Sequence, residues 1–288
     1  MTVCNRPAAA RQVIVHGDCW PVVTATVHLL QSALPGSNCS TTYTLPALLQ
    51  ALSRQPDAAL LLCLRPREHI FLFYALRNAL LYHPALVISD ELLFSDRVVL
   101  YNQGDIPAVL HQELAGAVVR IKHGKMPYPV KGKLKGKLAD FLSDPKPATG
   151  FFAVPLIFTT PERLMNYMSL LMFRASVGCG VTPAQQKLLQ EVYRGRHTLA
   201  GMTGILNTST KKIWQDKDRL LAKMGMRNRL RELLFGTCFR EDIQRTAFMA
   251  PSESDMLYKT EITAAGDRAT CHHDKILSRC RDLADPGH

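Results

Sequence analysis

The amino terminus, MTVCNRPAAARQVIV, lacks the basic start, long apolar stretch and small-residue cleavage site of a secretory signal. The chain also lacks any run of eighteen apolar residues. Its greasiest patch, Gly150 to Arg174, is interrupted by Pro155, Pro161, Glu162 and Arg163, which excludes a helical membrane span. Eight cysteines stand at 4, 19, 39, 63, 179, 238, 271 and 280 without the paired spacing of a zinc finger. In a chain of 288 residues with no signal, they read as reduced thiols of a cytoplasmic protein with no membrane partner. Cys271, His272, His273 and Cys280 form one crowded cluster in a polar stretch, and no metal or other cofactor is expected there. His16, Asp18 and Cys19 lie close together, but no glycine elbow or other catalytic signature accompanies them, so an enzyme is not expected.

Positive charge, by contrast, is abundant and unevenly placed within a formal net of +11. Arg120 to Lys137 carries seven basic residues and no acid; Val181 to Phe235 carries eleven basic residues and four acids. Cations concentrated in two places suit a polyanion, because each one near a phosphate releases a counterion. Hydrophobic residues at 47% leave enough apolar material for a core across most of the chain.

Short aliphatic runs at Arg11–Gly17, Asp57–Leu64, Ala85–Ser89 and Arg97–Tyr101 read as strands. Between them lie stretches with three- and four-residue apolar spacing, and a last helix is expected around Val109 to His123. Buried strands alternating with helices predict a parallel sheet covered on both faces, over residues 11–124. Residues 125–180 follow as a Lys-, Gly- and Pro-rich linker and a connecting helix. That helix starts at Thr160-Pro161 and carries the stripe Leu164, Met168, Leu171 and Met172. Residues 181–240 read as helical throughout. Thr182-Pro183-Ala184-Gln185 is a capping box, Gly195 ends the first helix, and a short helix covers Leu199–Leu206. A longer helix runs from Thr210 to Met224 and stops at Gly225, and Asn228 is placed to cap a fourth. Residues 241–288 read as a polar, disordered tail.

A short helix, a tight turn and a longer basic helix make a helix-turn-helix, whose second helix lies in the major groove. With Ile213, Leu220 and Met224 facing the core, Lys211, Lys212, Gln215 and Arg219 fall on the outer side. Lys and Arg suit guanine acceptors and phosphates; Gln suits adenine. A solvated charged face on a small helical unit would show the same periodicity. Several further residues resemble the LuxR-type DNA-binding domain: Val181-Thr182-Pro183, Leu188-Leu189, Gly195, Leu206-Asn207, Ser209, Lys211, Ile213 and Lys223-Met224-Gly225-Met226. The spacing from Asn207 to Met226 matches Rcs-type regulators without a gap. The resemblance implies a four-helix unit that contacts double-stranded DNA through Ser209, Lys211, Lys212, Gln215, Arg219 and Lys223. Lys212 stands where that family usually has Thr, and Asp216 and Asp218 put two carboxylates on the same helix.

The strand–helix alternation of residues 11–124 resembles a response-regulator receiver domain. Phosphorylation of such a domain needs an acidic cluster, an acceptor Asp at the third strand and a Lys. Here Asp18 is a lone acid, Leu62 stands at the acceptor position, and no lysine precedes Lys122. The expected fold is thus an α/β receiver-like N-terminal domain plus an all-α four-helix LuxR-type helix-turn-helix domain. The resemblance to atypical Rcs- and BglJ-like regulators implies a phosphorylation-independent transcription regulator. It would act as a homodimer, or as a heterodimer with an Rcs-type response regulator. The alternative is a protein-only module that sequesters a partner regulator without reading DNA.

Overall fold

The computed structural model describes residues 12–33, 36–118, 136–150, 152–154, 157–195 and 199–259. Most of the basic linker (Arg120 to Lys135), Arg196 and the Cys271–Cys280 cluster lie outside the described residues.

Five strands, β1 (Gln12–Gly17), β2 (Asn38–Thr42), β3 (Ala59–Cys63), β4 (Ala85–Ser89) and β5 (Ala108–Leu110), form one parallel sheet in the order β2-β1-β3-β4-β5. Five helices connect and flank them: α1 (Trp20–Ala33), α2 (Leu45–Arg54), α3 (Ile70–Leu76), α4 (Phe94–Asn102) and α5 (His111–Val118). Successive side chains of a strand point to opposite faces, and here both faces are covered. Ile14, Leu60, Leu62 and Val87 join the core with α2, α3 and α4. Their neighbours Val13, Val15, Leu61 and Ile88 pack on the other side with α1, α5 and α6 (Lys137–Ser143). That is why β1, β3 and β4 appear as continuous apolar runs.

Two local expectations are corrected, and two strands are added to those expected. Arg97–Tyr101 is not a strand but the middle of α4. Asp96 Oδ2 accepts from Leu93 N at 2.8 Å, satisfying a free donor at the helix start, and Val98, Val99 and Leu100 face the core. β2, with sequence NCSTT, and the three-residue β5 are the sheet edges, and short or polar edge strands lack an apolar run. The helix expected from Val109 begins at His111, after β5.

The connecting helix α7 (Pro161–Gly178) lays Leu164, Met168, Leu171 and Met172 against α4. Four helices follow: α8 (Pro183–Arg194), α9 (Leu199–Leu206), α10 (Thr210–Lys223) and α11 (Leu230–Gly236). The α11 end of this unit rests on α4. Ser95 Oγ donates to Phe235 O at 2.8 Å, Arg97 donates to Met224 O, and Arg231 Nη2 meets Glu91 Oε1 at 2.6 Å.

The stretch expected as a disordered tail is instead packed as far as it is described. Residues 240–250 cross the α/β domain, and α12 (Pro251–Lys259) lies on α2 and α3. Gln244 accepts from Ile70 N at 2.9 Å and donates to Arg67 O at 2.8 Å; Phe248 stacks on Tyr74; Asn78 donates to Asp255 at 2.6 Å.

Candidate nucleic-acid interface

The helical unit is set by its caps. Thr182 Oγ1 accepts from Gln185 N at 3.4 Å while Gln185 Oε1 accepts from Thr182 N at 3.1 Å, the reciprocal pair expected at the α8 start. Gly195 ends α8 at φ 66° and Gly225 ends α10 at φ 63°, a left-handed backbone that costs a side-chain-bearing residue more. Ser209 Oγ accepts from Lys212 N at 3.3 Å and caps α10. Ile213, Leu220 and Leu221 are buried with Leu188, Leu189, Met224 and Leu233. The fourth helix starts one residue later than expected: Arg229 is its N-cap, and Asn228 donates its side-chain amide to Asp218 Oδ1 instead.

With the apolar side inward, Lys211, Lys212, Gln215, Asp218, Arg219 and Ala222 are exposed. Lys211, Gln215, Arg219 and Ala222 recur at helical spacing, so they make one outward stripe, with Lys212 and Asp218 on its two borders. Of the six expected contact residues, Lys211, Lys212, Gln215 and Arg219 therefore share one face. Ser209 sits at its amino-terminal edge as the cap. Lys223 is committed elsewhere: its ammonium donates to Gly180 O at 2.6 Å and to Gln185 Oε1 at 3.0 Å, tying α10 to the start of α8. Asp216, the less exposed of the two acids, lies 3.7 Å from Lys212. Trp214 is 50% exposed at the edge of the helix with the Lys217 ammonium 3.9 Å above its ring, a cation–π pair.

A second feature lies in the α/β domain. At the carboxyl ends of β1, β3 and β4, where open α/β sheets bind their ligands, is a crevice of about 300 Å³ lined by Asp18, Cys63, Arg65, Ser89, His111 and Arg245. Leu62 is fully buried in the core on the sheet face shared with α2, α3 and α4. Asp18 is met by Arg245 and, at 3.5 Å, by His69 Nε2. Those partners, His69 first, hold its carboxyl well below the usual carboxylate range against the opposing effect of burial. Arg245 also pairs with Glu68 at 2.9 Å, and its backbone N–H donates to Glu68 O at 2.8 Å. Arg65 grips Asp90 at 2.8 Å and lowers that carboxyl to about 2. Sequence reasoning missed Arg245 and Asn228; the first lies far along the chain from its partners, and the second reads locally as a cap.

No family model matches the chain, and no curated protein matches it. Among solved structures it is similar to the two-component response regulator RcsB in complex with DNA, at 18% identity over 78% of this chain and 97% of that one, TM-score 0.49. It is also similar to RcsB from Salmonella enterica serovar Typhimurium bound to promoter rprA in the presence of phosphomimetic BeF3−, at 16% identity over 78% and 97%, TM-score 0.44. Response regulator ChrA of a haem-sensing two-component system matches at 13% identity over 79% and 96%, TM-score 0.26. The strand order 2-1-3-4-5 followed by a four-helix unit is the receiver-like plus helix-turn-helix architecture.

Proposed function

We propose that this chain is a sequence-specific DNA-binding transcriptional regulator that works without phosphorylation of its α/β domain, as a homodimer or as a heterodimer with an Rcs-type response regulator. The observation that carries the reading is the outward stripe of α10. Lys211, Gln215 and Arg219 stand on one exposed face, with Lys212 beside them, on a helix capped by Ser209 after a tight turn. A helix of this shape fits the major groove, where its cations meet phosphates and guanine and its amide meets adenine.

Phosphorylation independence is supported from the other domain. The third strand supplies Leu62, buried away from solvent, where a receiver needs an acceptor carboxylate. Asp18 already holds the Arg245 guanidinium, a cation the chain brings itself. The second reading, a module that sequesters a partner regulator, draws on an apolar groove of about 260 Å³ between α8, α10 and α11, lined by Leu189, Val192, Trp214 and Leu230.

Fluorescence anisotropy of the purified chain on fragmented genomic DNA, over a salt series and with or without an Rcs-type partner, separates these readings. Salt-sensitive, sequence-selective binding that a Lys211→Ala/Lys212→Ala/Arg219→Ala variant loses is the expected result. Partner capture that survives the triple variant, with no selective DNA binding in either setting, would establish the sequestering module instead. Treatment with a small phosphoryl donor is expected to leave the binding curves unchanged.

A further inference from the structure

The two acids of α10 are treated differently by the fold. Asp216 is partly buried and sits beside Lys212, so its charge is offset within the helix. Asp218 is exposed at the border of the outward stripe, one turn beyond Gln215 and one turn before Ala222. It is also fixed, because Asn228 reaches back from the turn before α11 and donates to Oδ1. That bond leaves Oδ2 able to accept from another donor.

An unpaired carboxylate facing a phosphate backbone is repelled by about 1 kcal/mol at 4 Å in water, and more where water is excluded. A hydrogen-bond donor on the DNA offsets that repulsion. The major groove offers two kinds, the adenine N6 and cytosine N4 amino groups. In the duplex, adenine N6 lies between two acceptors that repel a carboxylate, its own N7 and the paired thymine O4; cytosine N4 has an acceptor, the paired guanine O6, on one side only. Resting on the DNA-binding reading above, we infer that Asp218 is a specificity-determining residue that accepts from a cytosine N4 amino group, with Asn228 as the residue that positions it. Asn228 touches no base in this role; it holds the carboxylate rotamer so that the bond forms without further ordering.

The test is selection of binding sites from a randomised duplex library by the full chain, with the preferred partner present if binding needs it. Wild type, Asp218→Ala, Asp218→Asn and Asn228→Ala are compared, and thermal melting of each is followed alongside. Wild type is expected to enrich a motif with one fixed cytosine. Asp218→Ala is expected to lose about tenfold of the preference at that position alone. Asp218→Asn, which can donate and accept together, is expected to move the position toward adenine, and Asn228→Ala to weaken the preference without changing its identity. A purely structural Asp218–Asn228 staple would lower the melting temperature and weaken all sequences alike, with the motif unchanged; that result overturns the inference and leaves the DNA-binding reading intact. Failure of wild type to enrich any motif overturns the DNA-binding reading itself, and this inference with it.

Discussion

His16, the penultimate residue of β1, has its ring buried, Nδ1 3.1 Å from Thr42 Oγ1 and the His69 imidazole nearby. Burial, reinforced by His69, lowers it from 6.5 to about 4, while Thr42 and Asp18 act in the opposite direction. The fold therefore prefers the neutral ring, whereas the unfolded chain takes up a proton as pH falls below 6.5. The stability His16 contributes is complete above that value and is lost as pH falls from 6.5 toward 4. Between pH 7 and pH 5 the loss is about 2 kcal/mol. Urea midpoints of wild type and His16→Gln at the two pH values check this. The variant should show a smaller pH dependence, and equal slopes would assign the acid sensitivity to other groups. At this scale the sequence showed much. The outward positions of Lys211, Lys212, Gln215 and Arg219 follow from helical spacing alone, because a 3.6-residue period fixes direction once Ile213 and Leu220 are known to be inside. Lys223 escaped that logic. Its long stem lets the ammonium fold back to Gly180 O, a partner that spacing along one helix does not reveal.

Among the elements, α10 presents the outward stripe of Lys211, Gln215 and Arg219 directly after its Ser209 cap. Replacing Ser209 with Ala removes the acceptor for Lys212 N and should cost about 1 kcal/mol. It should also weaken DNA binding evenly across sequences, because the helix start loosens while every side chain of the outward stripe remains. Lys212→Ala differs in kind. It should cost about 1–3 kcal/mol of binding and relax preference at one position, whereas Lys133→Ala in the linker should weaken all sequences alike and flatten the salt dependence. Parallel titrations of the three variants on the selected site and on a scrambled one make the comparison; identical behaviour of Lys212→Ala and Lys133→Ala would exclude base reading by Lys212. The caps of α8 and α10 were legible because a capping box and a terminal glycine are local chemistry. The strand assignment of Arg97–Tyr101 failed because Val98 and Val99 carry the same β-branched signal in either structure. What decides for helix is Asp96 at its start and the packing of α7 and α11 on its outer side.

Across the whole molecule, α3 is the element that demands explanation. Every residue from Ile70 to Leu76 is buried, and a helix apolar all round must be covered on all sides. The sheet covers one side, and Phe158 of the segment before α7 meets Tyr74 on another. Phe248, from the segment after α11, covers a third, edge-on to Phe71 at 5.6 Å and stacked on Tyr74 at 6.0 Å, and α12 of the same segment packs on α3 as well. The same segment delivers Arg245 to Asp18 and Thr246 to His69, at 3.0 Å. Such contacts join residues more than 170 positions apart, so no local window of sequence displays them, and a polar stretch such as APSESD reads as tail. The segment is therefore expected to act as part of the α/β core. Phe248→Ala should destabilise the chain by about 2 kcal/mol, less than a fully buried Phe because the ring is only partly covered. Ser252→Ala, on the exposed side of α12, should stay within about 0.5 kcal/mol. Urea unfolding followed by circular dichroism distinguishes them. If both substitutions were silent, α3 would have to find its cover in another part of the chain or in a second copy. If Phe248→Ala alone lowers the midpoint and binds an apolar dye, the carboxyl-terminal segment is the missing wall of the first domain, and its Arg245 stands in the crevice as a resident cation.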